Sequence, residues 1–127
     1  MTDTEIVIHD REMNLMDVLW ERGSATAAEV RDLLEDNLAY NTVLTILRRL
    51  EQKGYVGHEE EGRAHRYFPL VEREQARESA VRRLLNKVFD GSAELMLTHL
   101  VTESMLDDEQ IRRLRHLLQE QLKGKGS

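Results

Sequence analysis

Between residues 41 and 56 the chain reads NTVLTILRRLEQKGYV. Val43, Ile46, Leu47 and Leu50 recur at the i, i+3, i+4, i+7 spacing that lines one side of an α-helix, so this stretch is predicted helical from about Tyr40 to Lys53, with Gly54 at its end. Two shorter apolar patterns precede it. Met13, Met16, Leu19 and Trp20 mark a helix that starts at Asp10 and stops at Gly23. TAAE at 26–29 has the form of a capping box, in which Thr26 and Glu29 each bond the other's amide. It opens a second helix with Ala27, Val30, Leu33 and Leu34 inward, and EDNLAY supplies a turn before the third.

The period then changes. Residues 55–70 begin and end with β-formers around a polar tip, EEGR, where Gly62 permits a hairpin turn. Pro69 belongs at the end or edge of the second strand. Residues 1–8 read as a loose or short extended arm. The predicted order is therefore helix, helix, helix, two-stranded ribbon: a helix-turn-helix with a wing.

Downstream, residues 72–89, 92–104 and those following Asp107 and Asp108 form three amphipathic helices ahead of a frayed KGKGS tail. The middle one is apolar on nearly every side, so it must be covered all round. Fewer than sixty residues do not easily make an independent core. A symmetric dimer is the economical solution, with Leu84, Leu85, Val88, Leu95, Met96, Leu97, Leu100, Val101, Leu114, Leu117 and Leu118 as its expected interface. The reading is mainly α with a small β-ribbon: a winged helix-turn-helix domain at 1–70 and a helical dimerisation domain at 71–127, with a hinge near 69–73.

Charge complicates the DNA reading. The 127-residue chain carries a net charge of −6, against what nucleic-acid binding needs. The distribution softens this: residues 1–40 are net −7, residues 41–70 net +1 and residues 71–127 net 0. A local patch matters more than the total. In a helix-turn-helix the second helix enters the major groove, with its N-terminal half at base edges and phosphates. Asn41, Thr42 and Thr45 lie there, followed by Arg48, Arg49 and Lys53, while Arg63, His65 and Arg66 lie on the wing. Thr can bond a phosphate or pack on a thymine methyl. Asn41 either reads adenine or caps the helix. Arg48 and Arg49 suit phosphate or guanine, or else an ion-pair cluster with Glu51. Tyr55, Tyr67 and Phe68 read as core under the wing.

Several classes drop out. The chain has no Cys, so disulfides, thiolate metal sites and Cys nucleophiles are absent, which fits a reducing cytoplasm. No apolar run is long enough for a membrane span, and the acidic start has no signal-peptide pattern. The five histidines have no i, i+4 partner among themselves, and His58 with His65 across the ribbon is the one suggestive pair. No acid pair is set beside a histidine and a nucleophile. The expectation is a non-enzyme without metal or cofactor. Two functions stay open on the residues alone: a repressor on duplex DNA, or a winged-helix module that binds only protein.

MDVLWERGSATAAEV, YNTVLTILRRLEQKGYV and GRAHRYFPLVERE resemble the penicillinase and methicillin-resistance repressors of the BlaI/MecI type, related to the copper-responsive CopY type. The resemblance implies a dimeric winged-helix repressor on an operator dyad. Thr42, Thr45 and Arg49 fall on its recognition-helix positions, Arg48 on a variable one, and 63–66 on its wing. For some relatives it also implies a membrane sensor–protease as partner. The chain departs from the pattern twice. It lacks the Cys-rich tail of the copper-responsive branch. Where β-lactam-responsive members are cut at an Asn-Phe bond, it carries His99-Leu100.

Overall fold

A computed structural model describes residues 5–126. Nine elements follow one another: α1 (Asp10–Arg22), β1 (Ala25–Thr26), α2 (Ala27–Leu33), α3 (Tyr40–Gln52), β2 (Val56–Glu61), β3 (Ala64–Pro69), α4 (Arg73–Val88), α5 (Ala93–Thr102) and α6 (Asp108–Gly126). By their packing they fall into two compact units that meet inside α4, one ending at Arg82 and the other beginning at Arg83. The sequence pattern puts the boundary at 70/71, where the ribbon ends; a helix that continues across it leaves no local signal of the division.

The first unit is built as the apolar periodicity dictates. Val43, Ile46, Leu47 and Leu50 are all buried, and they pack with Leu15, Met16 and Leu19 of α1, Val30 of α2, and Val56 and Tyr67 of the sheet. Burying side chains of this size stabilises by about 1.5–3 kcal/mol each before entropy is counted. The α2 capping box forms as written: the Glu29 amide donates to Thr26 Oγ1 at 3.2 Å, and the Thr26 amide donates to Glu29 Oε1 at 3.0 Å.

The structure corrects the sequence reading in five places. The sheet has three strands, ordered β1-β3-β2 and antiparallel throughout, because Ala25 and Thr26 pair with Tyr67 and Arg66. Two residues are too few to leave a periodic trace. Leu33 is 45% exposed, since α2 ends there and the chain turns out of the helix; Leu34 packs on the core instead. The start of the chain is fastened where it is described: Ile8 is buried, the Ile6 amide donates to Ser79 Oγ at 3.3 Å, and the Val7 amide donates to the Tyr55 hydroxyl at 2.8 Å. The rest of the predicted arm, residues 1–4, lies outside the described residues. Finally, the 69–73 segment, expected as a hinge, is held on α1. Trp20 Nε1 donates to the Val71 carbonyl at 2.9 Å, and the Arg73 guanidinium sits over the Trp20 ring and within 4 Å of Asp17 and Glu21. The predicted frayed tail also differs, because α6 continues to Gly126.

Two glycines shape the wing. Gly62 turns between β2 and β3 with φ +63°, a left-handed conformation that side chains resist. Gly57 lies opposite Phe68, and a Cβ there would come within 3.0 Å of the Phe68 ring.

In the second unit no described residue belongs to the buried core. The expected interface residues divide by exposure. Leu84, Val88, Leu95, Val101, Leu117 and Leu118 are exposed, whereas Leu85, Met96, Leu97, Leu100 and Leu114 are half-buried. Met105, Ile111 and Leu122 add to the exposed apolar surface.

Candidate nucleic-acid interface

α3 carries the candidate surface. Its buried stripe fixes the rotation of the helix, and at about 100° per residue Asn41, Thr45 and Arg48 fall on the opposite side. All three are exposed, as is Arg49, while Thr42 is half-buried at the flank. The helix is entered from Ala39, which makes no side-chain cap. Asn41 is therefore not the capping residue, and its amide faces out. Thr45 Oγ1 donates to the Asn41 carbonyl one turn back, at 2.9 Å. Its proton is thus used within the helix, and it presents an acceptor oxygen and a methyl group outward. That pair matches a base edge, an amino group beside a thymine methyl, better than a phosphate, which only accepts.

Arg48 and Arg49 have no ion pair among the described residues. The cluster that Glu51 could have made with them does not form, because Glu51 Oε2 is 2.6 Å from His58 Nδ1. Arg63, at the wing tip beside the turn, is likewise exposed and without an ion pair. Two clefts flank α3. One, of about 310 Å³, lies toward the wing and includes Tyr40, Arg48, Arg63, His65 and Thr26. The other, of about 400 Å³, lies toward the start of α1 and includes Arg11, Asn41, Thr42, Thr45 and Arg49.

Three of the expected contact residues have partners within the fold. Lys53 Nζ donates to Glu12 at 2.8 and 3.1 Å and to the Val7 carbonyl at 3.2 Å. Glu12 is 2% exposed and also accepts from the His9 amide at 2.9 Å. Burial opposes its charge, but the His9 amide and the Lys53 ammonium outweigh that and hold the carboxyl below its usual range. Arg66 bridges the wing to α2: its Nε meets Glu61 at 2.7 Å and its NH1 meets Glu29 at 3.2 Å. Glu61 is held below the ordinary carboxylate range chiefly by Arg66, and Glu29 by the Thr26 amide and then Arg66. His65 stacks on His58, with ring centroids 4.1 Å apart and planes 7° from parallel, so the pair singled out in the sequence does meet across the ribbon. Among the described residues no group of three or more His, Cys, Asp or Glu is placed to hold a metal ion, and no helix is long and apolar enough to cross a membrane.

The arrangement thus separates two classes of residue. Asn41, Thr42, Thr45, Arg48, Arg49 and Arg63 lie on or beside the outward face with their polar ends uncommitted to charge pairs. Lys53, His65 and Arg66 brace the elements that present them. Sequence reasoning passed over Arg11 altogether, because it stands in the first turn of a helix read only for its apolar stripe.

The comparisons with known proteins agree with this architecture. A family profile described as "Penicillinase repressor" matches residues 8–120. The Penicillinase repressor of Bacillus licheniformis is 30% identical over 115 residues, covering 89% of this chain and 90% of that protein. The Transcriptional regulator BlaI of Mycobacterium tuberculosis is 34% identical over 122 residues, covering 93% and 87%. Among solved structures, the DNA binding domain of the repressor BlaI superposes with a TM-score of 0.51 at 30% identity, over 58% of this chain and 93% of that one. These family members are transcriptional repressors, not enzymes. With a profile match over most of its length and a winged helix of this geometry, the chain belongs to the penicillinase repressor family.

Proposed function

We propose that this protein is a dimeric transcriptional repressor that occupies a pseudo-palindromic operator and blocks transcription from it, acting in the cytoplasm. The observation that carries the reading is the outward face of α3, where Asn41, Thr45, Arg48 and Arg49 are exposed and the arginines have no ion pair among the described residues of an acid-rich chain. Asn41, Thr45 and Arg48 meet base edges; Arg49, Thr42 and Arg63 meet the backbone. Lys53, His65 and Arg66 act indirectly, by holding α3 and the wing.

Dimerisation is supported by the second unit, whose helices expose Leu84, Val88, Leu95, Val101, Leu117 and Leu118 in a single copy. Exposed apolar surface of this extent marks an interface. Two copies related by a two-fold axis present two recognition helices to two half-sites. Release follows from loss of the dimer, through proteolysis or another signal acting on that unit, because one half-site holds too weakly by itself. The His99-Leu100 position lies within α5, so a cut there would divide that helix between Leu95 and Val101.

The reading as a module that binds only protein draws on the net charge of −6, and salt separates the two. A footprint on the DNA upstream of the protein's own gene, at two salt concentrations, is expected to show a protected dyad that fades at the higher salt. Absence of salt-dependent DNA binding, on that DNA and on genomic fragments alike, would overturn the proposal.

A further inference from the structure

The cleft between the start of α1 and α3 sets Arg11, a residue outside the expected contacts, beside Arg49, Thr42 and other residues that belong to them. It has a volume of about 400 Å³, and Arg11 and Arg49 both line it. Neither arginine has an ion pair among the described residues. Glu12, the one carboxylate in the lining, is already neutralised by Lys53. Two arginines without an ion pair among the described residues therefore line a space that Thr42 also lines. Such a set suits a tetrahedral oxyanion: forked N–H donors from two arginines and a neutral hydroxyl donor beside them.

Position says which anion. The cleft lies on one flank of the outward face of α3, and the cleft holding Arg48 and Arg63 lies on the other. A helix seated in a major groove runs between two phosphate strands, one on each flank. We infer that the α1-side cleft receives a backbone phosphodiester of the strand opposite the wing, with Arg11 and Arg49 as its two clamps. This rests on the proposed DNA-binding function and adds to it a residue outside the helix-turn-helix and the wing. Arg11 thereby fixes how α3 lies in the groove without reading a base.

The test compares full-length wild type with Arg11→Gln and Arg11→Lys on an operator fragment and on a non-specific duplex, over a range of salt. Arg11 is exposed, so neither variant should unfold, as circular dichroism checks. Arg11→Gln is expected to weaken binding to both duplexes by about the same factor, roughly tenfold, and to flatten the salt dependence by about one ion per half-site. Arg11→Lys should keep the slope. Neutral methylphosphonates placed one at a time around the half-site should find one position where Arg11→Gln loses clearly less affinity than wild type, the remainder being the share of Arg49.

Unchanged affinity and slope for Arg11→Gln, beside wild type that still binds in a salt-dependent way, would overturn the inference while leaving the repressor reading intact. So would loss confined to the operator. Inorganic phosphate that displaces DNA better than chloride at matched ionic strength, in wild type only, would assign the cleft to a free phosphate instead. Failure of wild type itself to bind either duplex would count against the repressor reading.

Discussion

The two units of this protein spend their apolar residues differently. In the first, α1 to α3 and the small sheet close a core around Leu15, Leu47, Leu50 and Tyr67, and the exposed surface of α3 is polar. In the second, residues 83 onward, helices of similar length leave leucines and valines open and bury none of them fully. The first is a finished fold that holds a surface steady. Under the proposed function the second is half of one, and a second copy supplies the rest. A protein built this way would be switched by acting on the unfinished half while the recognition surface stays folded.

That contrast can be broken from either side. The largest effect is expected in the closed core. Leu15→Ala should cost about 3 kcal/mol by leaving a cavity where nothing can collapse, read as a lowered urea midpoint. A comparable truncation at Leu117, 53% exposed in the single chain, should lower dimer affinity and leave the first unit's unfolding in place.

Next comes the interface itself. Leu100→Asp should give monomers by sedimentation and weaken operator binding by about 100-fold, since the second half-site then no longer binds intramolecularly. A dimer retained in that variant would remove α5 from the interface.

The Glu12–Lys53 pair sets a third scale. Glu12→Gln should destabilise the first unit by about 2 kcal/mol, less than a fully buried pair because Lys53 keeps 26% exposure. Its pH dependence has a definite sign. The folded Glu12 carboxyl lies below the ordinary 4.5, so its contribution is fully present above that value and is lost as pH falls through the lower folded one. Acid unfolding of wild type should therefore steepen below about pH 4.5, and that steepening should be reduced in Glu12→Gln.

Arg49→Ala should weaken operator binding about tenfold with no change in stability, checked by titration beside a thermal melt. The smallest effect is expected at Arg66. Its partners Glu29 and Glu61 are solvent-exposed, so Arg66→Ala should shift the thermal midpoint little and act on DNA affinity only through the wing's position.

The same contrast explains what could be read from the residues alone. The stripe Val43, Ile46, Leu47 and Leu50, the Thr26–Glu29 box and the Gly62 turn are local, and each appears in the structure as the pattern predicts. The internal partner of Lys53 is hidden from the sequence for a physical reason. That partner, Glu12, lies 41 positions away, and nothing in the spacing of a helix distinguishes a lysine aimed at DNA from one aimed at a buried acid. Arg66 is similar, because its partner Glu29 is brought near only by the pairing of β1 with β3. Arg11 was hidden for the opposite reason: the cleft it lines exists only once α1 is packed beside α3. The exposure of Asn41, Thr45, Arg48 and Arg49 is legible from helical periodicity, whereas the partners of Lys53 and Arg66 are set by tertiary packing.

The most direct test of the account is sedimentation equilibrium of the full-length chain across a wide concentration range. The account predicts a species of twice the chain mass that persists to low concentration and is lost in Leu100→Asp. A monomer at all concentrations, with a cooperative melt that includes the second unit, would contradict it.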